Sequence, residues 1–271
     1  MEIKTLTQKD FTFLLGTAET DLSACQTLIA ESDLRYKLLN QTERDRLLVG
    51  ILEDIESSDL LPAGPQRKNY WEMRWLKILE KFVNSGYALD RLVPDFFQRI
   101  RAIRVGPDYG WPFDRNFELN LYTVFRRWLF QKYLSQNKII YEFACGTGFN
   151  LVELAKLFPD KELHGLDWVH PPKEIVTLLA KRYGYKMTGH IFDLAEPDPN
   201  FPLDPTSAIL TINGLEQLGT NFEPFLQFVL KKQPELCVQV EPLDELYDSE
   251  QLTDYLALQF NRKRNYLSGY L

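Results

Sequence analysis

No stretch of this 271-residue sequence approaches the roughly 20 consecutive apolar residues of a membrane-spanning helix. Its opening, MEIKTLTQKDF, has no charged flank followed by an apolar core, so no secretory leader is expected. Cysteine is scarce: Cys25, Cys145 and Cys237 are scattered and odd in number. That excludes a disulfide framework and points to a reducing compartment, with the cytoplasm as the expected location. His164, His170 and His190 stand at no zinc-type spacing from these cysteines, so no metal site is expected. Positive charge is also short, the net charge being −7. A protein devoted to nucleic acid carries a basic face. The densest basic run, Arg91, Arg99, Arg101 and Arg104, is interrupted by Leu92, Val93, Phe96, Phe97 and Ile100 and reads as the solvated side of a helix. The expected partner is a small molecule, with neither nucleic acid nor membrane, and nothing fixes an oligomeric state.

What is present is enough apolar material, 45% of residues, for a sizeable core. Two textures divide the chain. Up to about residue 135 apolar residues recur at three- and four-residue spacing, which predicts helices. TERDRLLVGILEDIE begins with Thr42 and Asp45 in a capping-box arrangement, with Leu47, Leu48, Ile51, Leu52 and Ile55 as an inner stripe. YWEMRWLKILEKFV sets Trp71, Trp75, Ile78, Leu79 and Phe82 on one face, read as core. RNFELNLYTVFRRWLFQKYL is a third amphipathic helix, with Leu121, Phe125, Trp128 and Leu129 inward. Between them, VGPDYGWPFD holds Gly106, Pro107, Gly110 and Pro112, which predict a loop rather than a helix or central strand. Tyr109, Trp111 and Phe113 lie in it, as pocket wall or as packing.

From residue 138 strands alternate with helices. KIIYEF, ELHGLD, YKMTGHIFD, SAILTIN and ELCVQVE read as strands; FNLVELAKLF, PPKEIVTLLAKRYG, NFEPFLQFVLKK and SEQLTDYLALQF read as helices. This order implies an α/β fold, a doubly wound and mostly parallel sheet, preceded by a helical N-terminal region. The expected division is 1–135, a helical cap that chooses the substrate, and 136–271, the ligand-binding domain.

Ligands of open parallel sheets bind beyond the carboxyl ends of the strands. There the first strand passes through Glu142 and Phe143 into Ala144, Cys145, Gly146, Thr147 and Gly148, small residues that let backbone approach a ligand. Asp167 closes the second strand, 25 residues after Glu142, where a carboxylate accepts from ribose hydroxyls. Asp193 closes the third, within reach of an adenine edge. A dinucleotide turn needs a third small residue, yet the counts fall on Phe149 or Leu151. No Lys-Ser/Thr follows Gly148 to bind phosphate, and Glu142 would repel one. A phosphate-free nucleoside with a positive centre fits better.

EFACGTG followed by GLDW resembles the first two motifs of the class I S-adenosylmethionine-dependent methyltransferases, over residues 138 to about 260. The resemblance implies a Rossmann-like fold, S-adenosyl-L-methionine as cofactor and methyl transfer. It implies that Glu142 orients the methionine portion beside Ala144, Gly146 and Gly148, that Asp167 holds the ribose, that Trp168 flanks the adenine, and that Asp193 accepts from its amino group. Asn213 is counted with this cofactor set. Ala144 stands where the family has Gly. The family's C-terminal antiparallel hairpin has no counterpart before NRKRNYLSGYL, so the sheet is short or the chain is a fragment. NGLEQLG replaces the Asn/Asp-Pro-Pro-Tyr/Phe signature of enzymes that methylate exocyclic or amide nitrogens, which favours an oxygen or carbon acceptor. A hydroxyl acceptor needs a base; the candidates are His170, Glu216, Glu241 and, from the aromatic loop, Tyr109. The competing readings are a catalytically silent module of the same fold that regulates a partner, and a dehydrogenase with a degenerate dinucleotide turn.

Overall fold

The computed structural model describes residues 2–106 and 108–271. In chain order the first part contains β1 (Ile3–Thr5), α1 (Gln8–Leu15), α2 (Gln26–Glu31), β2 (Arg35–Leu38), α3 (Gln41–Glu56), α4 (Lys68–Asn84), β3 (Ile103–Val105), β4 (Asp108–Pro112) and α5 (Phe117–Tyr133). The remainder contains β5 (Ile139–Phe143), α6 (Phe149–Leu157), β6 (Glu162–Asp167), α7 (His170–Tyr183), β7 (Met187–Ile191), β8 (Ala208–Ile212), α8 (Glu223–Lys232), β9 (Leu236–Val240) and α9 (Leu252–Arg264). Two compact units form, one of Met1–Asp54 with Pro94–Ser135, the other of Ile55–Val93 with Gln136–Leu271. The sequence reading set a single boundary near 135; the structure instead assigns residues 55–93 to the parallel-sheet unit. The physical reason is α4, whose Trp75, Ile78, Leu79 and Phe82 are buried in that unit.

The smaller unit is not wholly helical as expected. It contains an antiparallel sheet ordered β1-β2-β4-β3. These strands have 3 to 5 residues, too short for alternation to stand out. The expected aromatic loop is part of this sheet: β4 pairs with β2 on one side and β3 on the other. Pro112 is tolerated because it is the strand's last residue and faces only Tyr36 of β2. Gly110 is bare because a methyl there would lie 2.3 Å from Tyr36 Cδ2. Pro107 lies outside the described residues. The helix expected around Arg91 to Arg104 is absent: short 3-10 turns at Leu89–Leu92 and Asp95–Phe97 flank Pro94, and Ile103–Val105 is strand. The four arginines are nevertheless exposed. The α3 cap also shifts. Asn40 and Glu43, not Thr42 and Asp45, exchange the capping hydrogen bonds, at 3.0 Å each. The expected α3 stripe is only partly covered, Leu52 being exposed.

The larger unit is the expected α/β architecture. Five strands pair in parallel in the order β7-β6-β5-β8-β9. Chain order therefore reverses between β5 and β8, which makes the crevice beyond their carboxyl ends a topological switch point. The described sheet has no antiparallel strand. One face is packed by an aromatic cluster in which Phe143 meets Phe192, Phe225 and Phe228 at 5.1 to 6.3 Å between ring centroids. Gly165 and Gly189 permit close helix packing on the other face, since a methyl at Gly189 would sit 2.5 Å from the Lys173 carbonyl of α7. His164 and His190 are neighbours on β6 and β7, their ring nitrogens 3.0 Å apart, with Tyr141 stacked on His164. No described helix is long and apolar enough to cross a membrane.

Candidate functional site

The site grows from three left-handed residues. Ala144 (φ 55°), Gly146 (φ 52°) and Gly148 (φ 68°) alternate along the turn between β5 and α6. Glycine adopts this conformation freely, whereas Ala144 carries a cost of about 1–2 kcal/mol. The turn closes through Gly148 N–H donating to the Cys145 carbonyl at 2.9 Å, and Thr147 Oγ1 donates to the Leu92 carbonyl at 2.7 Å. Gly148 must stay bare for a second reason: a methyl there would be 3.3 Å from Leu179 of α7.

Asp167 ends β6 directly beside this turn. Its Oδ2 accepts from Gly146 N–H at 3.0 Å and its Oδ1 from Val169 N–H at 3.3 Å. The side chain is buried, and burial pushes its pKa up to about 7, helped by the charge of Glu72 and opposed by the N–H groups of Gly146, Val169 and Trp168. A carboxylate with roughly four acceptor positions keeps capacity beyond these backbone N–H groups.

A cleft of about 80 Å³ opens at the ends of β5, β6, β7 and β8. Ala144, Asp167, Trp168, Asp193 and Asn213 line it, so five of the sequence-predicted cofactor residues converge. Asn213 turns the chain after β8 with φ 54°, a conformation asparagine tolerates. Gly214 follows without a side chain because one would meet the Ala144 methyl at 2.6 Å. Asp193 commits Oδ1 to Ala195 N–H at 2.9 Å, leaving Oδ2 toward Lys68 Nζ at 3.8 Å. Glu142 is buried beneath the turn, accepting from Asn150 Nδ2 at 2.7 Å, and is not part of the lining.

The candidate bases fare differently. His170 is the exposed first residue of α7 and does not line the cleft. Tyr109 belongs to β4 of the other unit. Glu216 is absent from the lining, but its neighbour Gln217 is part of it. Gln217 Nε2 donates to Glu216 Oε1 at 2.8 Å, while Gln217 Oε1 accepts from Arg67 Nη1 at 2.6 Å and Trp71 Nε1 at 3.2 Å. Glu241, just past β9, accepts from the N–H groups of Gly214 at 3.1 Å and Glu216 at 3.2 Å, pinning the turn that carries Asn213 and Gln217. Burial pushes both Glu216 and Glu241 up to about 7, and for Glu216 the neighbouring Glu241 charge adds to the shift.

The residues that the sequence reading missed are those of α4. Trp71 and Trp75 stack at 5.2 Å between centroids and 26° and line the cleft. Trp75, Ile78, Leu79 and Phe82 are buried as expected, Trp71 is only half-buried, and both indoles also form cleft wall. Their four-residue spacing was the available signal; nothing local marked Gln217, Phe192, Leu194 or Leu218.

No family model matches the chain, and no curated protein matches it. Solved structures do. They include an O-methyltransferase family 2 protein from Planctomyces limnophilus in complex with apigenin, 20% identical, with TM-score 0.39 over 56% of this chain and 50% of that one. The plantazolicin methyltransferase BpumL, with a desmethyl analogue and SAH, is 14% identical, with TM-score 0.39 over 81% and 74%. Human N-acetylserotonin methyltransferase in complex with SAM is 13% identical, with TM-score 0.38 over 95% and 75%. The chain spans about half the length of several structures it matches. At this identity and overlap no activity passes from them to this chain; the strand order itself identifies a doubly wound, Rossmann-like α/β fold.

Proposed function

We propose that the chain binds S-adenosyl-L-methionine across the ends of β5, β6, β7 and β8 and transfers its methyl group to a small-molecule acceptor, at oxygen or carbon. The observation that carries the reading is the meeting of a bare left-handed turn with a buried carboxylate at the switch point, with a second carboxylate, Asp193, one strand further out. The residues suit the group: Asp167 has acceptor capacity for two ribose hydroxyls, Trp168 offers an indole face to adenine, and Asp193 Oδ2 is an acceptor for its amino group. Ala144, with the smallest side chain after glycine, lines the cleft where the methionine portion would lie. The cations nearest the cleft, Lys68 and Arg67, are committed to Asp193 and Gln217 of its lining.

When bound, the sulfonium supplies an electrophilic methyl group whose displacement discharges a positive centre, a step favoured by burial. The chain's own contribution is positioning, which can account for most of the acceleration of an in-line displacement. Glu241 fixes the turn carrying Asn213 and Gln217 beside the path of the acceptor. Glu216 stands behind the cleft wall and holds Gln217 in place, so it reaches a hydroxyl substrate only through that side chain. The competing reading, a silent binding module, is favoured by one observation: the cleft of about 80 Å³ is small beside the roughly 300–1,000 Å³ typical of ligand sites. Incubation with methyl-labelled cofactor and a panel of phenols, enols and activated carbons separates the two. Labelled product supports transfer; cofactor binding with no product from any acceptor supports the silent module.

A further inference from the structure

We infer that α4 is a built-in occupant of the cofactor cleft, a strap whose side chains hold the contacts that the ligand must take over. The inference rests on the proposed cofactor reading. Two of the three residues assigned to the nucleoside side of that reading, Trp168 and Asp193, are already engaged by the first residue of α4. Lys68 Nζ lies 5.6 Å from the centre of the Trp168 ring and 3.8 Å from Asp193 Oδ2, so one ammonium group both covers the indole face and serves the carboxylate. Those are the two contacts expected of an adenine and its amino group. Two turns along the same helix, Trp75 covers Gly146: a methyl on that glycine would be 3.1 Å from Trp75 Cζ2. Bare backbone is normally left for a ligand to approach; here an indole approaches it. Trp71, stacked on Trp75, and the buried Arg67 converge on Gln217 Oε1 and so tie the strap to the acceptor side of the cleft.

The small volume of the cleft follows from this occupancy. Trp71 and Trp75 form the wall of the cleft that faces the strand ends. Gly64 (φ 138°) precedes α4, and Gly86 (φ 73°) with Tyr87 (φ 71°) follows it, so each end is a turn of unusual backbone rather than a continuation of helix. Beyond these turns the chain is anchored, at Ala63 by its N–H donating to the Arg264 carbonyl at 2.6 Å, and at Tyr87 by Arg182 and Tyr183. Between the anchors, Lys68 makes a long ion pair and a cation–π contact with described residues, and its side chain is 51% exposed. A ligand that binds only the open arrangement loses affinity in proportion to the fraction of closed protein. Removing the Lys68 contacts lowers that fraction.

The test is titration calorimetry with S-adenosylhomocysteine on the full chain and on Lys68→Ala and Lys68→Arg, with hydrogen exchange of the α4 amides alongside. Lys68→Ala is expected to bind about fivefold tighter, the loss of a weak surface ion pair and one cation–π contact. Lys68→Arg, which keeps the cation, is expected to match the wild type, and α4 is expected to exchange faster when ligand is bound. Equal or weaker binding by Lys68→Ala, or α4 amides further protected by ligand, overturns the strap while the cofactor reading stands. Absence of binding in all three proteins overturns both.

Discussion

The affinity for S-adenosylhomocysteine is expected to depend on pH through Asp167. In the ligand-free protein burial raises this carboxyl to about 7, so it is largely protonated at pH 6. Ribose hydroxyls donate to the ionised form and favour it. Binding therefore releases a proton, and affinity strengthens as pH rises toward 7 and levels off above it. With one pKa unit worth about 1.4 kcal/mol, a group about 90% protonated at pH 6 weakens binding about tenfold there relative to pH 8. Calorimetry in two buffers of different ionisation enthalpy would read both the affinity and a proton release approaching one per site at pH 6. Glu216 and Glu241 also titrate near 7, so Asp167→Asn is the necessary control. It is expected to bind about 10- to 100-fold more weakly, through loss of hydrogen bonds to a charged acceptor, and to lose the Asp167 part of the profile. If wild type and Asp167→Asn show parallel pH profiles, Asp167 does not hold the ligand.

Other expectations follow from the same geometry. Glu241→Ala leaves the Gly214 and Glu216 N–H groups without their acceptor and should cost about 1–3 kcal/mol in denaturant unfolding. Glu216 and Glu241 have folded pKa values raised to about 7 from about 4.3 in the unfolded chain, so the stability they allow is fully present below the unfolded value and lost as pH rises through 7. The melting temperature should accordingly fall between pH 5.5 and 8, and Glu216→Gln should flatten that fall. Gly146→Ala forces a side chain into φ 52° against Trp75; about 1–2 kcal/mol of stability should go, together with ligand binding, both visible in a thermal shift assay with and without S-adenosylhomocysteine.

The parallel-sheet unit was legible because its signals are local and repeated. ELHGLD is β6 from end to end, and the Gly146–Gly148 turn could be placed because only small residues follow Phe143 there. Asp167 was legible from its position at a strand end. The four-stranded sheet was not, since its strands contribute three to five residues each and Gly110 and Pro112 argue against pairing unless Tyr36 is known to face them. The cleft wall escaped for a different reason. Trp71 and Trp75 carry the same helical spacing as the core residues Ile78 and Phe82, and only tertiary structure separates those that meet a helix from those that meet the glycine turn. Gln217 has no sequence signal, because its role comes from Arg67 and Trp71, about 150 residues away in the chain.

A crystal structure grown with saturating S-adenosylhomocysteine should show ribose hydroxyls within hydrogen-bond distance of the Asp167 carboxylate, adenine on Trp168, and Trp75 lifted from Gly146. Trp75 still seated on Gly146, with no nucleoside at the ends of β5 and β6, would contradict the proposed binding.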